Sequence, residues 1–287
     1  YLFIFILLAF SACQSPEPKT LTGTLKSIEI PAFNPDSAYS FVNEQVAFGP
    51  RVPNTTAQKA CAIYLIEKLK QYCDTVIVQE FSVKAYNGTL LHGKNIIGIF
   101  NPTQNNRILL GAHWDSRPYA DHDPNPANHR TPIDGANDGA SGVGVLLEVA
   151  RQLQAKKPET GIDIIFYDVE DYGAPQDAET VSDGEFWCLG SQYWAKNPHV
   201  RNYKANYGIL LDMVGGTNAI FTLEGTSRYY APDILSNVWN IAEQLGYESN
   251  FKRFETPPIT DDHLYINKII NIPMIDIIEY DENSSSG

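Results

Sequence analysis

The sequence predicts an α/β domain, one three-layer unit whose mostly parallel, mixed sheet is covered by helices on both faces. Three observations predict it. Short apolar runs rich in Ile and Val recur along the chain, amphipathic helical patterns alternate with them, and no internal repeat or low-complexity tract breaks the series. With 287 residues, 43% of them hydrophobic and 19% charged, the chain carries enough apolar material for one large core.

Residues 1–12, YLFIFILLAFSA, are apolar but too short to cross a bilayer as a helix, and they run into Cys13 and the polar QSPEPKT. This is the pattern of an export signal whose cysteine becomes the lipidated first residue of the mature chain. Residues 13–33, with Pro, Ser, Thr and Lys and no strong periodicity, suit a tether to a domain over 34–287. The expected location is therefore the bacterial cell envelope, as an exported lipoprotein facing the periplasm, with the membrane touched only through that lipid.

Helical periodicity over 38–47 and 57–71 (Ala60, Tyr64, Leu65, Leu69) precedes strand-like runs over 75–82, 95–101 and 107–115. A helix is expected over 141–154 (Val145, Leu146, Val149, Leu153), then strands over 162–170 and 207–214. A helix over 230–245 (Ile234, Val238, Ile241, Leu245) and a last strand over 272–280 complete the series. Cys61 and Cys73 flank the second helix, and twelve helical residues separate ends by roughly 18 Å, beyond disulfide reach. With Cys188, they read as buried small residues.

The net charge of −13 and a pI near 4.8 exclude a nucleic-acid phosphate backbone as partner. Small molecules and peptides remain, acted on by a monomer. In parallel sheets, ligands sit at the carboxyl ends of strands, and four acidic groups fall there. The run 107–115 ends in His113-Trp114-Asp115. Asp138, in GANDGASG at 135–142, opens a helix between Gly135 and Gly139, a placement that suits an ion-facing carboxylate and also an N-cap. Glu170 and Asp171 follow the next strand directly. Two such neighbours need a cation or a proton between them, unless they form a solvated acidic loop. Asp212 closes the apolar run LLDMVGG, and Asp261 stands in TDDH after two prolines. Four acidic clusters at four predicted strand ends point to a metal site. Glu148, Asp163, His122, His129 and His199 read as structural or exposed.

These motifs carry a family likeness. HWDS, GANDGASG, VED, GSQYWA, LLDMVG and TDDH follow one another in the order seen in bacterial glutaminyl-peptide cyclotransferases, and FGPRVPNTTAQKA at 48–60 resembles the start of that catalytic domain. The resemblance spans roughly residues 35 to 287, and most of its motifs are shared with zinc aminopeptidases of the same superfamily. It implies a zinc aminopeptidase-like fold, zinc ligands at Asp138 and Asp171, and Glu170 as general acid/base. It further implies Asp212 and Asp261 as a hydrogen-bonded acidic pair, and Trp187 as a wall of the substrate pocket. The family's third ligand is a His in a Trp-His segment after the last strand, beyond Gly287, so 34–287 is expected to be a zinc-dependent catalytic domain truncated at its C-terminus.

The activity this implies is conversion of the N-terminal glutamine of peptides to pyroglutamate with release of ammonia, assisted by one Zn2+. The alternative is a two-zinc aminopeptidase using His113, Asp138, Asp171 and Asp212, with Glu170 activating water. Asp261 stands before Asp262-His263, where aminopeptidases of this superfamily tend to carry a small hydroxyl residue, and this favours the cyclase. A non-catalytic binding protein would have no need of Glu170.

Overall fold

Six strands hydrogen-bond into one twisted sheet: β1 (Thr75–Lys84), β2 (Leu90–Phe100), β3 (Arg107–His113), β4 (Gly161–Tyr167), β5 (Tyr207–Asp212) and β8 (Met274–Ile278). The computed structural model describes residues 31–178 and 184–279. The signal and residues 13–30 of the tether lie outside the described residues, as does Tyr280 at the end of the last predicted strand. The described residues from Ala32 onward form one unit by their internal contacts.

The strand order is β1-β2-β4-β3-β5-β8. β1 and β2 form an antiparallel hairpin through Asn87-Gly88, where Gly88 adopts φ +80°, a conformation that glycine enters without steric cost. β2 is antiparallel to β4, while β4, β3, β5 and β8 are parallel neighbours. The sheet is thus mixed, and its parallel half brings the carboxyl ends of four strands to one edge.

Helices cover both faces. Helices α1 (Pro35–Val46), α2 (Thr56–Tyr72) and α3 (Ala140–Ala155) pack on one. There Phe41, Leu65, Leu69, Leu146 and Leu147 meet Ile96, Phe100, Ile164 and Phe166. Each such side chain contributes about 1.5–3 kcal/mol when fully buried. On the opposite face, α4 (Leu189–Lys196) and a π turn (Ile266–Ile270) bring Trp194 and Ile266 against Ile97, Leu109, Ile165 and Tyr167. Helix α6 (Pro232–Gln244) packs Leu235 and Trp239 on Ile275 of β8.

The six predicted strands are the six strands of this sheet, and the four predicted helices are α1, α2, α3 and α6. The buried stripe of α6 differs from the expected one: Leu235, Trp239 and Ala242 are buried, whereas Ile241 and Leu245 are exposed. The indole decides the rotation, because Trp239 packs on Phe251 and donates to the Lys252 carbonyl at 3.0 Å. Cys73 is only half-buried, and Cys61, Cys73 and Cys188 are all free thiols. A two-stranded sheet of β6 (Phe221–Leu223) and β7 (Phe251–Glu255), together with α5 (Gly225–Tyr230), was not foreseen, while the short helix expected between TDDH and the last strand is α7 (Asp262–Tyr265), which starts within the motif itself.

Candidate active site

Parallel pairing sets His113 of β3 opposite Tyr167 of β4, so the loops that follow these two strands emerge side by side. Asp115 ties them together. It is fully buried, and its two oxygens accept the backbone N–H of Glu170 (3.0 Å) and of Asp171 (3.2 Å). Before them the chain turns sharply at Val169, which sits at φ +59°, a left-handed conformation that is costly for a β-branched residue. The Leu189 N–H on the Val169 carbonyl (2.9 Å) and the Cys188 N–H on the Glu170 carbonyl (2.8 Å) hold that turn.

Asp138 arrives from the other side, in the turn before α3. The helix is capped by Gly139, without a side-chain hydrogen bond, so the capping reading of Asp138 falls. A Cβ on Gly139, at φ +90°, would stand 2.5 Å from the Asp115 carbonyl oxygen and 3.1 Å from the His113 ring. Glycine alone lets the turn close on the site. Arg51, fully buried, secures this loop by donating to the carbonyls of Trp114 (3.0 Å), Asp134 (2.6 Å) and Gly135 (2.7 Å). The freed Asp138 carboxylate lies 2.8 Å from His113 Nε2, and Asp212, at the end of β5, lies 3.2 Å from the same nitrogen.

Charge governs this centre. Burial works against the His113 imidazolium, but the charge of Asp212 and hydrogen bonds to Asp115, Asp138 and Asp212 outweigh it and raise its pKa well above the usual value. Burial also opposes the Asp138 carboxylate, yet His113, Arg117 and Arg51 hold its pKa below the usual range. Asp212 is pushed up to about 6 by burial, against the pull of His113. Glu170 and Asp171 are raised well above ordinary carboxylates, first by burial. The charges of Asp171 and Asp261 then act on Glu170, and that of Asp138 on Asp171.

Glu170 accepts the Cys188 thiol at 3.1 Å, and acceptor or donor atoms of Glu170, Cys188 and Asp261 lie within 4.8 Å of one another. Asp171 receives Arg117 Nη1 on Oδ1 at 3.3 Å, while its buried Oδ2 has no hydrogen-bond partner. Asp261 Oδ2 is likewise buried without one. Orphaned carboxylate oxygens at the edge of a crowded acidic centre fit the oxygen and nitrogen donor set of a divalent cation. Trp187 is half-buried and, with Phe186, Leu264 and Tyr265, lines a pocket of about 280 Å³.

Behind Asp261 lies a deeper cluster that sequence reasoning missed. Asp276 of β8 and His263 of α7 are fully buried and, with Asp261, keep donor and acceptor atoms within 4.8 Å. His263 Nε2 stands 3.2 Å from Glu224, whose carboxylate also accepts the N–H groups of Thr226, Ser227 and Ile259. Burial opposes the Glu224 charge, but His263 and these amides prevail and lower its pKa to about 2.

All six residues singled out by the sequence, Asp138, Glu170, Asp171, Trp187, Asp212 and Asp261, stand at the carboxyl edge of the sheet or in its loops. Asp115, Arg51, Arg117, Cys188 and Asp276 support them and were not singled out. Asp115 was within view, as the third residue of the HWDS motif. Glu148 and Asp163 are structural, as read. His199 is not a loose polar residue: its ring is buried, accepts Trp194 Nε1 at 3.1 Å and stacks on that indole.

Comparison with known proteins gives the family context. Residues 95–285 match Peptidase family M28. A Zn-dependent exopeptidase from Parabacteroides distasonis superposes with a TM-score of 0.88 at 56% identity, covering 90% of this chain and 88% of that one. A glutaminyl cyclase from Bacteroides thetaiotaomicron, bound to N-acetylhistamine, gives 0.88 at 54% identity over 89% and 88%. The Tannerella forsythia glutaminyl cyclase gives 0.86 at 55% identity over 90% and 88%. Among curated proteins, aminopeptidase YwaD of Bacillus subtilis is 26% identical over 72% of this chain. The glutaminyl-peptide cyclotransferase of Drosophila melanogaster is 27% identical over 63% of it. The chain spans only 23 to 49% of the length of the curated relatives it matches.

Proposed function

The chain belongs to peptidase family M28, and within that family we propose that it is a glutaminyl-peptide cyclotransferase, which closes the N-terminal glutamine of a peptide to pyroglutamate and releases ammonia. The observation that carries this reading is the approach of Asp261 to Glu170, whose oxygens lie within 4.8 Å of one another in a buried setting. Two carboxylates so placed hold a proton between them more readily than two charges. Cyclisation needs that economy of protons: the α-amine loses one as it attacks the γ-carboxamide carbon, the leaving nitrogen gains one, and no water is consumed. Glu170 takes the first proton and delivers the second, with Asp212 and Asp261 holding it in position. Nucleophile and electrophile sit on one residue, so holding the glutamine against Trp187 supplies part of the rate. The likeness to solved glutaminyl cyclases at 54 and 55% identity supports the same reading.

Asp138 and Asp171 are the residues we assign to a single zinc ion, which when bound would polarise the γ-carboxamide as a Lewis acid. The orphaned Asp171 Oδ2 supports that assignment. A second reading, a two-zinc aminopeptidase, draws on the trio His113, Asp138 and Asp212, whose donor and acceptor atoms also lie within 4.8 Å. Against it stands Asp261 before Asp262-His263, where aminopeptidases of this superfamily tend to carry a small hydroxyl residue. The substrates are accordingly peptides, and the Cys13 motif supports an envelope lipoprotein as the setting. Among the described residues no helix is long and apolar enough to cross a membrane.

The test follows ammonia and naphthylamine separately when the full-length protein is given Gln-β-naphthylamide and Leu-β-naphthylamide. Ammonia from the glutamine substrate is expected, abolished by a chelator and lowered about 10²–10⁴-fold in Glu170→Gln. Naphthylamine from the leucine substrate without ammonia from the other would transfer the case to the aminopeptidase.

A further inference from the structure

Arg117 leaves the end of β3 and is buried, with 8% of its surface exposed. Nε and Nη2 form a planar fork on Asp121 at 2.8 and 2.6 Å. Nη1 reaches both the carbonyl and the Oδ1 of Asp171 at 3.3 Å, and Nη2 reaches the Ala174 carbonyl at 3.4 Å. Asp121 in turn accepts the Gln176 N–H at 3.1 Å. Residues 171–176 are therefore clamped onto residues 117–121. The same guanidinium carries the Trp187 ring, its carbon 4.8 Å from the ring centroid, within the range of a cation–π contact. The backbone leaves no slack there, because a Cβ on Gly173 would stand 2.1 Å from the Trp187 ring.

We propose that Arg117 is a positioning residue that couples the metal-binding carboxylate Asp171 to the substrate wall Trp187. By binding Oδ1 it leaves the buried Oδ2 free to serve a cation, and with its carbon 4.8 Å from the ring centroid it braces the indole that walls the 280 Å³ pocket. Aspartate is one methylene shorter than glutamate, so its carboxylate has little freedom to find a cation unaided, and the guanidinium supplies the orientation. Lysine cannot replace it, since an ammonium offers neither the fork for Asp121 nor a planar face for Trp187. The inference takes the metal and substrate roles of Asp171 and Trp187 from the proposed function, but its test does not require the cyclase reaction.

The chain has four tryptophans, of which Trp114, Trp194 and Trp239 are buried to within 1%. The Trp187 signal in acrylamide quenching of the full-length protein is therefore isolated as the difference from Trp187→Phe, which also subtracts any tryptophan beyond Gly287. In Arg117→Lys, zinc affinity measured against a chromophoric chelator is expected to fall about 10–100-fold, the range for loss of a group that orients a ligand. Quenching is expected to rise, and zinc to protect Trp187 less than in the wild type. Asp121→Asn, which keeps the guanidinium and loosens its fork, should shift both readings the same way by less. It serves if the lysine variant fails to fold. With glutaminyl substrate, KM should rise in Arg117→Lys as well as kcat fall. Unchanged zinc affinity and unchanged quenching in a folded Arg117→Lys would overturn the proposal, as would a change in only one of them. A wild-type protein that releases no ammonia would sink the cyclase reading while leaving the zinc and quenching results to decide this one.

Discussion

β3 and β4 are buried at both ends, and both ends are polar, yet they are built in opposite ways. Near their starts, Asp163 receives Arg107 through Nε and Nη2, each at 2.7 Å, and the Tyr203 hydroxyl at 2.5 Å. Arg107 spends its other donors on the carbonyls of Phe100, Asn101 and Gln104. At their far ends, Glu170 meets the charge of Asp261 and Asp171 that of Asp138, and oxygens of Asp171 and Asp261 are left without a hydrogen-bond partner. One end is a charge that the fold compensates by itself. The other is an acidic excess that His113 and Arg117 offset only in part, leaving the rest to a substrate, a proton or a cation, and that difference separates structure from function more sharply than burial does.

The contrast breaks most visibly if the compensated end is cut. Asp163→Ala leaves Arg107 charged, buried and unpaired, and it strips the Tyr203 hydroxyl of its acceptor. Breaking such a pair costs about 3–5 kcal/mol, which lowers the melting temperature by roughly 6–20 °C in a domain of this size. Turnover per folded molecule is expected to be unchanged, because the network lies at the opposite end of the strands from the acidic centre. Thermal melts and active-site-normalised rates check the two halves. A loss under about 1 kcal/mol, or a collapse in turnover, would remove the distinction between the ends.

The uncompensated end should respond with the opposite sign. Asp212 has its pKa raised from 3.8 to about 6 in the folded protein by burial. A carboxyl raised on folding contributes stability that is fully present below pH 3.8 and is lost as pH rises through 6, because the native state there binds the extra proton. The loss is up to about 3 kcal/mol over that window, at 1.36 kcal/mol per pH unit. Asp212→Asn is free of it but also gives up the charge that Asp212 offers His113 at 3.2 Å, so its net gain is below that ceiling. Chelator-treated Asp212→Asn is thus expected to be more stable than the wild type above pH 6 and no more stable near pH 4, while it releases ammonia more slowly. Denaturant midpoints at the two pH values measure this, and an equal difference at both would show that Asp212 does not titrate as argued. A more stable but less active variant is what a site that crowds acids together for function should give.

The same contrast explains what the sequence could be read for. The strands were legible because short Ile- and Val-rich runs bounded by turn residues suit buried strands, and Glu170, Asp171 and Asp212 because each stood where such a run stopped, whereas Asp138 and Asp261 stood out in the GANDGASG and TDDH motifs. β7, with the sequence FKRFE and a mostly exposed surface, and the three-residue β6 carry no such pattern. Helix α4 starts abruptly after Cys188, which takes φ +56° and offers no side-chain cap, so no capping signal marks it. In α6 the periodicity was present, but the stripe was set by where Trp239 found Phe251 and the Lys252 carbonyl, contacts outside the helix. At the site, the carboxylates at the front were found, while the buried Asp115 and Asp276 and the arginines that hold the loops were not. Arg117 touches Asp171, 54 positions away, and Arg51 touches Gly135, 84 positions away. Such partners become visible only when the fold brings them together.

A smaller effect sharpens the argument by holding geometry constant. Lys70 and Glu67 form an ion pair at 2.8 Å on α2, almost the 2.7 Å of Arg107 and Asp163. Their side chains are 56% and 60% exposed, against 9% and 0% for the buried pair. Water and salt already satisfy the exposed charges, so neither partner is stranded when the other goes. Exposed helical pairs contribute about 0.3–0.5 kcal/mol. Glu67→Ala is accordingly expected to move the denaturation midpoint by no more than that, with the difference shrinking further at 1 M salt, where the screening length is about 3 Å. A loss approaching that of Asp163→Ala would mean that distance rather than burial sets the worth of these pairs, and the reading of the two sheet ends would lose its physical basis.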